Sequence, residues 1–138
     1  LNNLWGKEKT DEYFLKLESF KNAKYDTSGD YFDLFINSDG MIHDCGSFLA
    51  EYFYTDNPQC YLLKNDDVIN KEFTDFEKAM LNNTYKAFSR QEIVNFIDNI
   101  IIKGKDEMRE QRDRFASENI KINHPNASDA ILKILKSI

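Results

Sequence analysis

Residues 39–51, Asp-Gly-Met-Ile-His-Asp-Cys-Gly-Ser-Phe-Leu-Ala-Glu, constrain the fold of this chain more than any other stretch. Met41, Ile42 and His43 read as a short strand. Asp44 follows, Gly46 permits a tight turn, and Ser47 is placed to open a helix that carries Glu51. Strand, turn and helix start in that order aim backbone N–H groups where an anion can dock. Ser47 and Glu51 stand one helical turn apart and share a face. Phe48, Leu49, Tyr52 and Phe53 fall on a different arc, which should pack on a sheet while the polar pair faces a cleft.

The rest of the chain extends this unit. Asn57-Pro58 marks a turn, and residues 59–63, Gln-Cys-Tyr-Leu-Leu, read as a buried strand parallel to the first. Residues 84–88 are extended. Between these strands, residues 64–71 read as a surface loop and 72–81 as a helix with Phe73, Phe76, Ala79 and Met80 inward. Upstream, residues 1–9 read as a connector. Thr10 is expected to cap a helix over 11–20 with Tyr13, Phe14, Leu17 and Phe20 on its apolar stripe. Residues 22–25 suggest a short strand, and Tyr31 to Phe35 a short helix. Downstream, Ser89-Arg90-Gln91-Glu92 has the form of a capping box. It opens a helix with Ile93, Val94, Phe96, Ile97, Ile100 and Ile101 inward, ended by Gly104. Residues 105–138 read as a helical tail, with a break at Asn123-His124-Pro125. Its last helix should turn Ala130, Ile131, Ile134, Leu135 and Ile138 inward.

The fold class implied is α/β: one truncated Rossmann-like domain over residues 1–138, with a small parallel sheet and a helix-rich C-terminus. A doubly wound domain usually opens with a strand, whereas this chain opens with a helix, so the first strands are expected upstream of Leu1. At 138 residues and 41% hydrophobic composition the chain can bury a core.

Charge narrows the partners. A net charge of −6 argues against nucleic acid, whose phosphates need a basic face. Lys103, Lys105, Arg109, Arg112 and Arg114 are interleaved with acids and read as a solvated helix face. The two cysteines, Cys45 and Cys60, form no CxxC pair, which points to a reducing, cytoplasmic setting. No apolar run has the length of a membrane span. His43, Asp44 and Cys45 are adjacent on a strand and point alternately to opposite faces, so they do not converge on a metal ion. His43 reads as a packed strand residue, Cys45 as a small buried side chain, and His124 as an exposed loop residue without a partner.

The candidate site is therefore Asp44, Gly46, Ser47 and Glu51. Gly46 gives backbone access, Ser47 offers a hydroxyl and a helix-start N–H to a diphosphate, and Glu51 offers a carboxylate to ribose hydroxyls. Read more plainly, the same residues form an ordinary capped helix on a non-catalytic α/β binding or docking domain.

Residues 39–51 also resemble the central motif of the CDP-glycerol glycerophosphotransferase family, the teichoic acid polymerases and their relatives. Asp44 matches the family's aspartate, Ser47 the second serine of its Thr-Asp-Tyr-Ser-Ser run, and Glu51 the acid that follows. Cys45 and Gly46 replace the tyrosine and the first serine. Asn57-Pro58 resembles the family's Lys-Pro before the next strand, and residues 31–35 its preceding short helix. Arg112-Asp113-Arg114-Phe115 and Ala127-Ser128 resemble its Arg-x-x-Phe and Ala-Ser ending.

The resemblance implies the C-terminal half of a GT-B fold, with Ser47 and Glu51 in the nucleotide-donor site. The donor implied is CDP-glycerol or a nucleotide sugar, and the product a cell-surface or teichoic-acid-like polymer. The implied partners are an N-terminal domain preceding this segment and a membrane-associated acceptor, met at the inner face of the membrane. Neither His43 nor His124 matches the family's His-Pro histidines, so the catalytic base is expected outside this chain. The isolated chain is then expected to show no turnover. No residue pattern calls for a metal or cofactor.

Overall fold

The computed structural model describes residues 2–137. The chain divides into two compact units, residues 1–33 and 34–138.

In the first unit a short helix, α1 (Asn2–Trp5), is followed by α2 (Lys7–Glu18). Both fall where a connector was expected or earlier than the expected start. Gly6 precedes α2 at φ 81°, a conformation glycine adopts without strain. Thr10 does not cap: it lies in the first turn, and its hydroxyl donates to the Gly6 carbonyl at 2.8 Å. Rings pack in series, Trp5 on Tyr13, Tyr13 on Phe14 and Phe14 on Tyr25. Of the expected stripe, Phe14 and Leu17 are half-buried while Tyr13 and Phe20 stay exposed. Residues 22–25 form no strand; a turn and irregular backbone occupy the segment.

The second unit is built on a three-stranded parallel sheet in the order β1 (Met41–His43), β2 (Gln59–Leu62), β3 (Tyr85–Ala87). Met41 pairs with Gln59 and His43 with Tyr61, and Cys60 with Tyr85 and Leu62 with Ala87. Helix α3 (Phe32–Ile36) leads towards β1. Between β1 and β2 run α4 (Gly46–Glu51) and a 3-10 turn (Tyr52–Thr55). Between β2 and β3 run two helices, α5 (Asp66–Glu72) and α6 (Asp75–Asn82).

Strand alternation sends successive side chains to opposite faces, and both faces are covered. On one, Tyr61 and Leu63 meet Leu49, Phe53, Met80, Leu81 and Ala116. On the other, Cys60 meets Ala87 and Phe96, with Leu62, Ile93, Ile100 and Ile101 packed around them. Gly40 lets that second layer come close: a Cβ there would lie 2.3 Å from the Ile101 Cδ1 atom.

Several element boundaries differ from those expected. Residues 64–71 are not a loop. Asn65 caps α5 by accepting the Val68 N–H at 3.2 Å, and two acidic residues suit the positive helix start. The helix expected over 72–81 begins instead at Asp75, because Thr74 and Glu77 form a reciprocal capping box. At residues 89–92 only half of the box is made. Ser89 accepts the Glu92 N–H at 3.3 Å, while the Glu92 carboxylate reaches the Phe88 N–H at 2.7 Å.

The helix this opens, α7 (Arg90–Asn95), continues as a π-helix (Phe96–Ile102). Of the expected stripe, Phe96 is buried while Val94, in α7, and Ile97, in the π-helix, remain exposed. Gly104 does end it, at φ 66°.

In the tail, α8 (Arg109–Phe115) runs on into a π-helix (Ala116–Ile120), and α9 (Ala127–Leu135) follows. The apolar face of α9 is not inward: Ile131, Leu132, Ile134 and Leu135 are all at least half exposed. Ile138 lies outside the described residues.

Arg112 departs furthest from its expected place. It is buried rather than on a solvated face. Its guanidinium makes a two-pronged pair with Asp106, at 3.0 and 2.6 Å, and donates to the Asp56 carbonyl at 3.1 Å. Tyr85 donates to the same Asp106 carboxylate at 2.9 Å and accepts the Met108 N–H at 3.2 Å. Burial opposes ionisation of Asp106, but Arg112 and Tyr85 outweigh it and hold that carboxyl below the usual aspartate range.

Candidate functional site at the end of the first strand

Asp44, Gly46 and Ser47 follow the C-terminal end of β1, the edge of a parallel sheet where α/β folds place ligands. Glu51 instead closes α4 at its far end, next to Tyr52, whose hydroxyl lies 2.7 Å from Ser38 ahead of β1. Helix α4 starts one residue earlier than expected. Cys45, extended at φ −96° and ψ 123°, stands at the N-cap, and Gly46 is the first helical residue. Ser47 lies inside the first turn, so it is not the cap. The Leu49 N–H bonds the Cys45 carbonyl at 3.2 Å and begins the helical ladder. Ahead of it, the N–H groups of Ser47 and Phe48 turn toward the Cys45 sulfur at the cap.

The Ser47 side chain is exposed, with its hydroxyl 3.4 Å from the Cys45 sulfur. That contact and the N–H groups of Phe48 and Ser47 favour the thiolate and lower the pKa of Cys45. Asp44 is exposed, and its carbonyl accepts the Tyr61 hydroxyl at 2.9 Å. Glu51 is partly buried, and its Oε2 atom is shielded from solvent without a hydrogen-bond partner. Such an oxygen is costly to leave unpaired. A Cβ placed on Gly46 would lie 3.9 Å from the Glu77 carboxylate, which is therefore close to the turn. The charges of Asp44, Glu77 and Glu72 all act on Tyr61 and add to burial in raising its pKa. The turn is acidic in its surroundings.

Beneath it, His43 and Gln59 form a buried polar pair that residue types alone did not reveal. The His43 Nε2 atom is 2.9 Å from Gln59 Oε1, and the Gln59 amide nitrogen donates to the Leu49 carbonyl at 3.1 Å. The sequence signal was a glutamine opening a buried strand, a polar side chain that needs partners once desolvated. Cys60 is free and buried, and burial pushes its thiol up to about 11. His124 does have a neighbour, since its ring packs edge-on against Tyr54. Among the described residues, no cluster of three or more His, Cys, Asp or Glu side chains is arranged to hold a metal ion. No described helix is long and apolar enough to cross a membrane.

No family model, curated protein or solved structure matches this chain. The fold itself is an α/β arrangement on a small parallel sheet, a scaffold that does not by itself fix a function.

Proposed function

We propose that this chain carries the donor-nucleotide wall of a transferase cleft, in an enzyme that moves a sugar or polyol phosphate from a nucleotide to a cell-surface polymer. The resemblance to the CDP-glycerol glycerophosphotransferase family, and through it to the C-terminal half of a GT-B fold, gives this reading its chemistry. The observation that carries it is the unpaired Glu51 Oε2 on α4, the helix that follows β1. Rotation of the Glu51 side chain would offer that oxygen to a ribose hydroxyl. The Ser47 hydroxyl and the N–H groups of Gly46 and Ser47 would hold the diphosphate as it becomes the leaving group. The catalytic base and the acceptor site belong to the facing wall.

Calorimetric titration of the chain with CDP, UDP, CMP and UMP tests this. Saturable diphosphate binding is expected. Ser47→Ala and Glu51→Ala should each weaken it by about 10- to 100-fold, the loss of a hydrogen bond to a charged group. Binding that survives the double substitution would place the site elsewhere, and turnover by the isolated chain would overturn the division of labour.

A second reading has its own observation. The Asp44 and Glu77 carboxylates border the turn and repel an anion, which favours a docking module with α4 as an ordinary capped helix. On that reading no nucleotide binds, and charge reversal at Glu77 does not restore binding.

A further inference from the structure

We infer that His43 is a proton-operated latch on the turn 44–47: neutral, it holds the Cys45 N–H, and protonated, it lets that N–H go and grips the Cys45 carbonyl instead. The inference concerns the unliganded turn and is independent of what the turn binds.

The argument starts at Gln59, which is completely buried. Its amide nitrogen must face the Leu49 carbonyl, since only a donor suits that partner at 3.1 Å. Its oxygen therefore faces His43, and an oxygen at 2.9 Å from Nε2 requires that Nε2 carry the proton. In the neutral ring Nδ1 is then a lone pair. It accepts the Cys45 N–H at 3.3 Å. The Cys45 carbonyl also lies near, at 3.1 Å from Nδ1, facing it as one acceptor faces another.

Adding a proton to Nδ1 reverses both contacts. The N–H now meets a donor and loses its acceptor, while the carbonyl gains a donor. That carbonyl already takes the first bond of α4 from Leu49. The proton thus redistributes hydrogen bonds at the N-cap, two residues from Ser47.

The groups facing His43 set where the exchange occurs. Asp44, next on the chain, favours the cation. From β2, Gln59 is neutral and the Tyr61 ring packs edge-on at 5.0 Å. From α4 and its cap, Phe48 is apolar and Cys45 carries a titratable thiol; the Glu77 carboxylate of α6 lies near Gly46. Burial outweighs the hydrogen bonds from Gln59 and Cys45 and the pull of Asp44, and lowers the His43 pKa.

Long-range proton–nitrogen correlation on the isotopically labelled full chain tests the latch. Neutral His43 is expected as the Nε2–H tautomer, titrating below 6.5. The Cys45 amide should shift with the same midpoint, and that shift should vanish in His43→Gln. Gln59→Glu, which sets a carboxylate against Nε2, should move both midpoints upward together. An Nδ1–H tautomer would overturn the inference. So would a Cys45 amide indifferent to the His43 midpoint, or one that still titrates there in His43→Gln.

Discussion

Cys45 and Cys60 are separated by burial and by what stands next to the sulfur. Cys45 sits at a helix start beside a hydroxyl, with its pKa lowered, whereas Cys60 is sealed between sheet and helix and held protonated. Native protein is expected to titrate one thiol per chain with a disulfide reagent, and two after denaturation. Cys45→Ser should abolish the native reaction; a fast native reaction that survives this change would contradict the assignment. The sequence allowed both cysteines to be small buried residues. Only Cys60 is, because Cys45 falls on the turn, where the helix begins a residue early and leaves its sulfur half-exposed. The polar contacts of His43 were equally hidden. Nothing in the local pattern brings Gln59 beneath it; the parallel register of β1 on β2 does.

The helical tail is pinned to the sheet through Arg112, whose side chain joins α8 to the 56–58 turn and, through Asp106, to Tyr85 on β3. Removing one member of such a buried pair strands the other's charge. Arg112→Met is expected to destabilise the chain by about 3 kcal/mol in urea unfolding, and Arg112→Met with Asp106→Leu by clearly less than the sum of the two single changes. Additive losses would mean that the two side chains do not act as a pair. This network was illegible because Arg112 lies in an alternating run of charges that resembles a solvated face; its burial goes with its bonds to Asp106 and to the Asp56 carbonyl, both outside α8. Element termini were legible wherever a side chain makes the cap. The Asn65 and Thr74 caps have ordinary sequence signatures, and the α5–α6 boundary could have been read from them. The change to π-helix at Phe96 has no such signature.

At the scale of the whole molecule, residues 34–138 contain the complete sheet and helices on both of its faces. A fragment of those residues is expected to unfold cooperatively in urea, with protected amides in β2; non-cooperative unfolding would show that its core is not self-sufficient. Acid should destabilise the chain in two windows. His43 has a lowered pKa when folded, so the unfolded chain takes up its proton first, and stability falls as pH drops through about 6.5 towards the folded value. Glu77 and Glu92 are held below the usual carboxylate range by their caps, and Asp106 chiefly by Arg112 despite its burial. Their contributions persist to lower pH and are lost as it falls below about 4.5. Urea midpoints measured from about pH 2 to about pH 8 check this, and His43→Gln should flatten the upper window only.

The sequence by itself determined the strands at 41–43 and 59–63 and the extended stretch at 84–88, along with one strand at 22–25 that does not form, the helix start beside Gly46, most of the helices and the resemblance on which the proposed chemistry rests. These are local properties: strands and turns follow from side-chain period and backbone freedom within a few residues. Tertiary structure decided the rest. It put Cys45 rather than Ser47 at the cap, drew the Glu77 carboxylate to the turn, left Glu51 with an unpaired oxygen, and placed His43 over Gln59. Each of these depends on which distant segment packs against the strand end, and a desolvated polar group finds its partner only when that packing is complete.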